Sequence, residues 1–232
     1  MNIAVTGCFG GGKSTVSRLL ASALDAPCLD TDRICRRLLQ PGEVGHAAFT
    51  ERFGGRFLAA IDGAIDRLAL RQAVFSDAQI KSALEEILHP LVQSEVAEAS
   101  LACRQAGRFL VVEVPLLFEV GWQGEFDVVV VVGGGESLLA ARVARRDGLA
   151  AAEIREVATS QWTMAEKVAR GDVVIDNGGT FVATVQQVAW LARKLRLADK
   201  NVGERQRPAK TLDSRKPSTY KGSNVFSNPC LC

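Results

Sequence analysis

Gly7-Cys8-Phe9-Gly10-Gly11-Gly12-Lys13-Ser14 combines the residue types needed to hold a polyphosphate. The run fits G-x-x-x-x-G-K-[ST]. Glycines let the backbone curl so that successive N–H groups point at phosphate oxygens. Lys13 supplies a charge that reaches β- and γ-phosphates, and Ser14 a hydroxyl that can ligate Mg²⁺. A helix predicted from Ser14 adds the positive end of its dipole. Gly10, Gly11, Gly12, Lys13, Ser14 and Thr15 are therefore the expected nucleotide-binding residues. Cys8 lies inside the loop, either as an oxidation-sensitive thiol or as a small side chain tolerated there.

Other residues could complete a reaction centre. Asp30 and Asp32 follow a short apolar run, where strand ends face the ligand crevice of a doubly wound sheet. Such carboxylates hold Mg²⁺ through water or accept a proton from a hydroxyl; either could instead cap the helix that starts there. Arg142, Arg145 and Arg146 share one face of a predicted helix, as phosphate contacts or as a solvated basic face. Glu113 holds metal-bound water or is a charge at a strand edge. Asn177 lines a base pocket or makes a turn. Arg71 meets an acceptor phosphate or pairs with Asp66 or Asp77. His89-Pro90 reads as a helix boundary, and His46 as surface.

The elements that must position these residues follow from periodicity. Ile3-Ala4-Val5, Pro27-Cys28-Leu29, residues 109–114, residues 127–132 and Asp172-Val-Val-Ile175 read as strands, apolar on both faces where they are longest. Helices are predicted over 14–24, through most of 33–105, over 137–146, over 151–169 and over 181–197. Gly133, Gly134 and Gly135 predict a flexible turn after the fourth strand. Alternation of strands and helices means α/β with a central parallel sheet.

Composition narrows the class. Hydrophobic residues reach 47%, enough to build a core, which excludes a mainly disordered chain. Residues 199–232 hold seven Lys/Arg and three Asp/Glu, and read as a disordered basic tail. Residues 1–198 then carry a net charge of −2, so no global field recruits nucleic acid. No apolar run is long enough for a membrane span, and no signal peptide is expected. The six Cys form no C-x-x-C pair and suit a reducing cytoplasm. Oligomeric state leaves no mark here.

The chain resembles the dephospho-coenzyme A kinases. The matching segments run from Thr6–Ser14 and Asp30-x-Asp32 to Phe53-Gly54, Asp62-Gly63, Arg67-x-x-Leu70-Arg71 and Val74-Phe75. They continue with His89-Pro90, Val114-Pro115-Leu116-Leu117-Phe118-Glu119, Arg142-x-x-x-Arg146-Asp147, Gln161 and Asp172-x-x-Ile175-x-Asn177-x-Gly179. The resemblance implies a P-loop NTPase-type three-layer fold over residues 1–198, with a helical acceptor-binding insertion over about 33–105 and a small helical lid over about 142–168. It implies transfer of the ATP γ-phosphoryl group, with Mg²⁺, to the ribose 3′-hydroxyl of dephospho-coenzyme A. Asp32 would be the catalytic carboxylate and a substrate contact, and Lys13, Arg142 and Arg146 the catalytic cations. Arg71 would bind the acceptor and Asn177 the ATP. Another small-molecule P-loop kinase, for a nucleoside, a sugar or shikimate, is the competing expectation.

Overall fold

The computed structural model describes residues 1–134 and 161–203. Five strands form one sheet: β1 (Asn2–Gly7), β2 (Cys28–Asp30), β3 (Leu110–Glu113), β4 (Val128–Gly133) and β5 (Val173–Asp176). The spatial order is β2-β3-β1-β4-β5 and every pairing is parallel. Parallel neighbours cannot be joined by a tight turn, so the chain returns through helices. Among the described residues these are α1 (Lys13–Leu24), α2 (Thr31–Leu38), α3 (Val44–Phe53), α4 (Arg67–Ser76), α5 (Ala78–Gln105), α6 (Met164–Val168) and α7 (Phe181–Gly203).

The three layers follow from strand alternation. Ile3, Val5, Val111, Val130 and Val132 face one way and pack with Val16 and Leu20 of α1 and Val188 and Leu191 of α7. Ala4, Val112, Val129 and Val131 face the other way, against Leu84, Leu88 and Val92 of α5 and Leu117. Each Val, Leu or Ile side chain among them contributes about 1.5–3 kcal/mol when fully buried, so a sheet apolar on both faces needs helices on both. Helices α2 to α5 carry the predicted helical insertion. Phe49, Phe53 and Phe57 close its far end, with ring centroids 4.7–6.1 Å apart.

Several elements differ from expectation. His89-Pro90 does not end a helix: α5 runs unbroken through Pro90. Proline removes one backbone donor and crowds the preceding turn, but Leu84, Leu88, Val92 and Val96 are all buried and hold the helix on both sides of it. The break falls earlier, at Asp77, whose carboxylate accepts from the N–H groups of Gln79 and Ile80 and caps α5. His46 is half-buried rather than surface, and its Nε2 bonds the Gly63 carbonyl at 2.8 Å. The helix predicted over 151–169 is interrupted, because residues 161–163 are not helical and Thr163 starts α6 with a capping box to Glu166. Gly133 and Gly134 are close-packed rather than merely flexible: a Cβ on Gly133 would overlap Met164, and one on Gly134 would sit 2.9 Å from the Gly178 backbone. α7 passes the expected start of the tail at 199 and continues to Gly203. Buried Leu195 and the Arg196 bond to the Ala23 carbonyl (2.6 Å) anchor its end, and Ala198 extends it as a strong helix former. Gly135, the helix predicted over 137–146 and the tail from 204 lie outside the described residues, as does most of the expected lid.

Candidate active site

β1 delivers the Gly-rich loop to the C-terminal edge of the sheet, and α1 starts directly after it. Gly12 needs its missing side chain twice over: its φ is +85°, and a Cβ would overlap the Asn177 amide. Lys13 is buried, and its Nζ donates to the carbonyls of Gly7 (3.3 Å) and Cys8 (3.1 Å), which hold the ammonium over the loop. Asn177, at the end of β5, braces the loop from the other side. Its Nδ2 donates to the Gly11 carbonyl (2.9 Å), and its Oδ1 accepts from the Thr184 hydroxyl (2.8 Å). Cys8 Sγ contacts Met164 Sδ at 3.8 Å.

Behind the loop lies Glu113, the last residue of β3. It pairs in register with Val5 on one side and Asp30 on the other, so it sits within the sheet rather than at its edge. Its Oε1 accepts from the Ser14 hydroxyl at 2.8 Å, and its backbone carbonyl from the Thr31 hydroxyl at 3.1 Å. Burial pushes the Glu113 carboxyl up; the Ser14 bond opposes that rise. Asp30 caps α2 by accepting from the Arg33 N–H (3.1 Å). Asp32, the second residue of α2, lies in its first turn and lines the neighbouring cleft. Burial pushes it up to about 6, Asp30 adds to the rise, and Lys13 and Arg36 pull it back. Its electrostatic coupling to Lys13 joins the loop to the cleft.

That cleft runs between α2, α4, α5 and the segment after β3. Asp32 and Thr31 form its end nearest the loop, and Leu84, Leu88, Val114 and Trp122 its apolar walls. The segment after β3 is fixed by a buried ion pair that nothing in the motif pattern foretold. Lys167 of α6 and Glu119 are both fully buried and 2.8 Å apart. Glu119 Oε1 also accepts from the Trp162 N–H (3.0 Å). Lys167 Nζ also donates to the Pro115 carbonyl (3.3 Å), which takes the Thr6 hydroxyl as well (3.2 Å). Trp162 stacks on Phe118, with the rings 6.0 Å apart and 10° from parallel.

The loop residues 10–15, Glu113, Asp32 and Asn177 thus converge at one edge of the sheet. Arg71 lies on α4, with its guanidinium 5.8 Å from the Phe75 ring. Its two candidate partners use their carboxylates as helix caps, Asp66 for α4 and Asp77 for α5. Arg142, Arg145 and Arg146 lie outside the described residues. Sequence reasoning missed Lys167, since a fully buried lysine is rare and nothing local marks one. Its partner Glu119 at least lay inside a recognised motif. Among the described residues no group of three or more His, Cys, Asp and Glu side chains could hold a metal ion. Nor is any helix there long and apolar enough to cross a membrane.

Comparison with known proteins gives one result. A family model described as dephospho-CoA kinase matches residues 1–182. A dephospho-CoA kinase of Desulfotalea psychrophila is 39% identical over 190 residues, covering 82% of this chain and 95% of that protein. One from Geobacter sulfurreducens is 41% identical over 180 residues, covering 77% and 90%. Among solved structures, the Thermus thermophilus protein TT1252 superposes with a TM-score of 0.72 at 32% identity, covering 86% of this chain and 97% of that one. The dephospho-CoA kinase from Campylobacter jejuni shares the fold, with a TM-score of 0.64 at 24% identity over 85% and 98%.

Proposed function

This chain belongs to the dephospho-CoA kinase family, and from that premise we propose how its residues carry out the transfer. The enzyme phosphorylates dephospho-CoA with ATP and yields coenzyme A. The 3′-hydroxyl oxygen of the acceptor ribose attacks the γ-phosphorus. The bond to the β–γ bridging oxygen breaks, ADP leaves, and the hydroxyl proton passes to the Asp32 carboxylate. One observation supports Asp32 in this role: it lines the acceptor cleft while its charge is coupled to Lys13 in the loop.

Phosphoryl transfer is mostly positioning and charge neutralisation. Gly10, Gly11, Gly12, Ser14 and Thr15 would hold the ATP phosphates through backbone N–H groups, with Lys13 against the β- and γ-phosphates. Asn177 would serve ATP binding by keeping Gly11 in place. Family membership implies a divalent metal, which we take to be Mg²⁺. The Ser14 hydroxyl 2.8 Å from the Glu113 carboxylate fits a hard cation, with Ser14 as ligand and Glu113 as partner of its water shell. When bound, the ion would neutralise phosphate charge. We assign Arg142 and Arg146 to the transferring phosphate and Arg71 to the acceptor from the family motif alone. We expect the enzyme to work in the cytoplasm, where thiols such as those of Cys28 and Cys35 stay reduced.

The test is direct. Purified protein with Mg-ATP should release ADP with dephospho-CoA and not with adenosine, shikimate or gluconate, and mass spectrometry should find coenzyme A. Release with another of these acceptors and not with dephospho-CoA would refute the proposal.

A further inference from the structure

One wall of the acceptor cleft has no part in the chemistry above. Along α5, Lys81, Glu85, His89 and Gln93 recur every fourth residue, and all four line the cleft. That spacing stacks them on one helix face. Glu85 differs from its neighbours in one respect: its Oε1 is buried without a hydrogen-bond partner. Burial pushes its carboxyl up to about 7; Lys81, one turn away, pulls it back and Glu86 adds to the rise. A buried acceptor without a donor is costly, and such groups are few in native structures. An orphan on a cleft wall is satisfied when the ligand brings the donor.

Resting on the reading that the acceptor is dephospho-CoA with its 3′-hydroxyl at Asp32, we propose that Glu85 accepts a hydrogen bond from the exocyclic amine of the acceptor's adenine. Glu85 is then the residue that selects adenine. The other parts of the acceptor fit this wall less well. Its diphosphate has oxygens and no donor, so it pairs with Lys81 rather than with Glu85 and leaves the Glu85 oxygen unsatisfied. The pantetheine amides do donate, but they lie beyond the diphosphate. The adenine hangs from the same ribose as the reacting hydroxyl, so it must lie near Asp32. Leu84, Leu88 and Trp122 give it apolar walls. Hypoxanthine carries a carbonyl where adenine carries the amine, and would set oxygen against oxygen at Glu85.

The experiment compares kcat/KM for dephospho-CoA and for its hypoxanthine analogue at pH 8.5, where the Glu85 carboxyl is ionised. Wild-type enzyme should prefer adenine by about 10–100-fold, the effect expected when one buried hydrogen bond is lost. Glu85→Ala should bring the two substrates within about threefold of each other. Glu85→Gln, nearly the same shape, offers an amide N–H to the carbonyl and should raise kcat/KM for the hypoxanthine analogue above the wild-type value. A merely structural role would lower both substrates together and leave their ratio alone. An unchanged ratio in both variants, or no preference in the wild type, overturns the inference while leaving the kinase reading intact. Wild-type enzyme that phosphorylates neither substrate overturns both.

Discussion

Asp32 is held at a carboxyl pKa of about 6, first by burial and then by Asp30. A base must be ionised to take a proton, so kcat/KM should fall about tenfold per pH unit below pH 6 in a pH–rate profile. Asp32→Asn should lose about 10²–10⁴ in kcat while the ATP KM changes little. The same variant bears on stability. The folded protein disfavours the charged carboxyl relative to its ordinary value of 3.8. Below that value the group is protonated folded or unfolded and contributes nothing; above pH 6 the fold carries the whole cost. Asp32→Asn should therefore be about 1–3 kcal/mol more stable than wild type at pH 8, with the gain vanishing near pH 3.5, as read by urea unfolding. Asn177→Ala removes two side-chain hydrogen bonds from the brace of the loop, and should raise the ATP KM about tenfold. The loop was legible because its eight residues are contiguous and each type has one use. The brace was not, because Gly11 lies 166 residues from Asn177 and a sequence does not show which distant carbonyl an amide will meet. Glu85 was hidden for another reason: a carboxylate on a polar helix face reads as solvated until a cleft is seen in front of it.

The elements were read well where one period dominated. β4 and β1 are apolar on both faces and could be nothing but interior strands. Proline misled at α5, because the rule that it breaks helices concerns a local backbone bond, while four buried side chains along the same helix decide the outcome. α6 is short because Thr163 caps it and Lys167 must turn inward to Glu119. Breaking that buried pair from one side leaves a charge without its partner. Lys167→Met should destabilise the protein by about 3–5 kcal/mol, whereas Glu119→Gln combined with Lys167→Met should recover most of the loss in urea unfolding. Asp77→Ala removes the cap that separates α4 from α5 and should cost about 1 kcal/mol by the same measurement.

Across the whole molecule, the three-layer sandwich was legible from the order of strands and helices, but the strand order was not. β1 lies at the centre, between β3 and β4, and only long-range pairing puts it there. α7 closes the layer over α1 with Val188, Leu191 and Leu195, all buried. Deleting residues 204–232 leaves every one of these contacts in place, so the shortened enzyme should keep kcat within about twofold of the full chain. Ending the chain at residue 190 would strip out Leu191 and Leu195, and the protein should fail to fold. The same closure governs what the chain can do while it is being made. The first fourteen residues contain the whole phosphate loop, yet its strand waits for Leu110–Glu113 and Val128–Gly133, and its brace for Asn177 and Thr184. A chain still emerging from the ribosome therefore carries the loop without its full frame until residue 184 has been added. The loop takes its braced shape only once Asn177 and Thr184 have been made, and a product truncated before them lacks that brace.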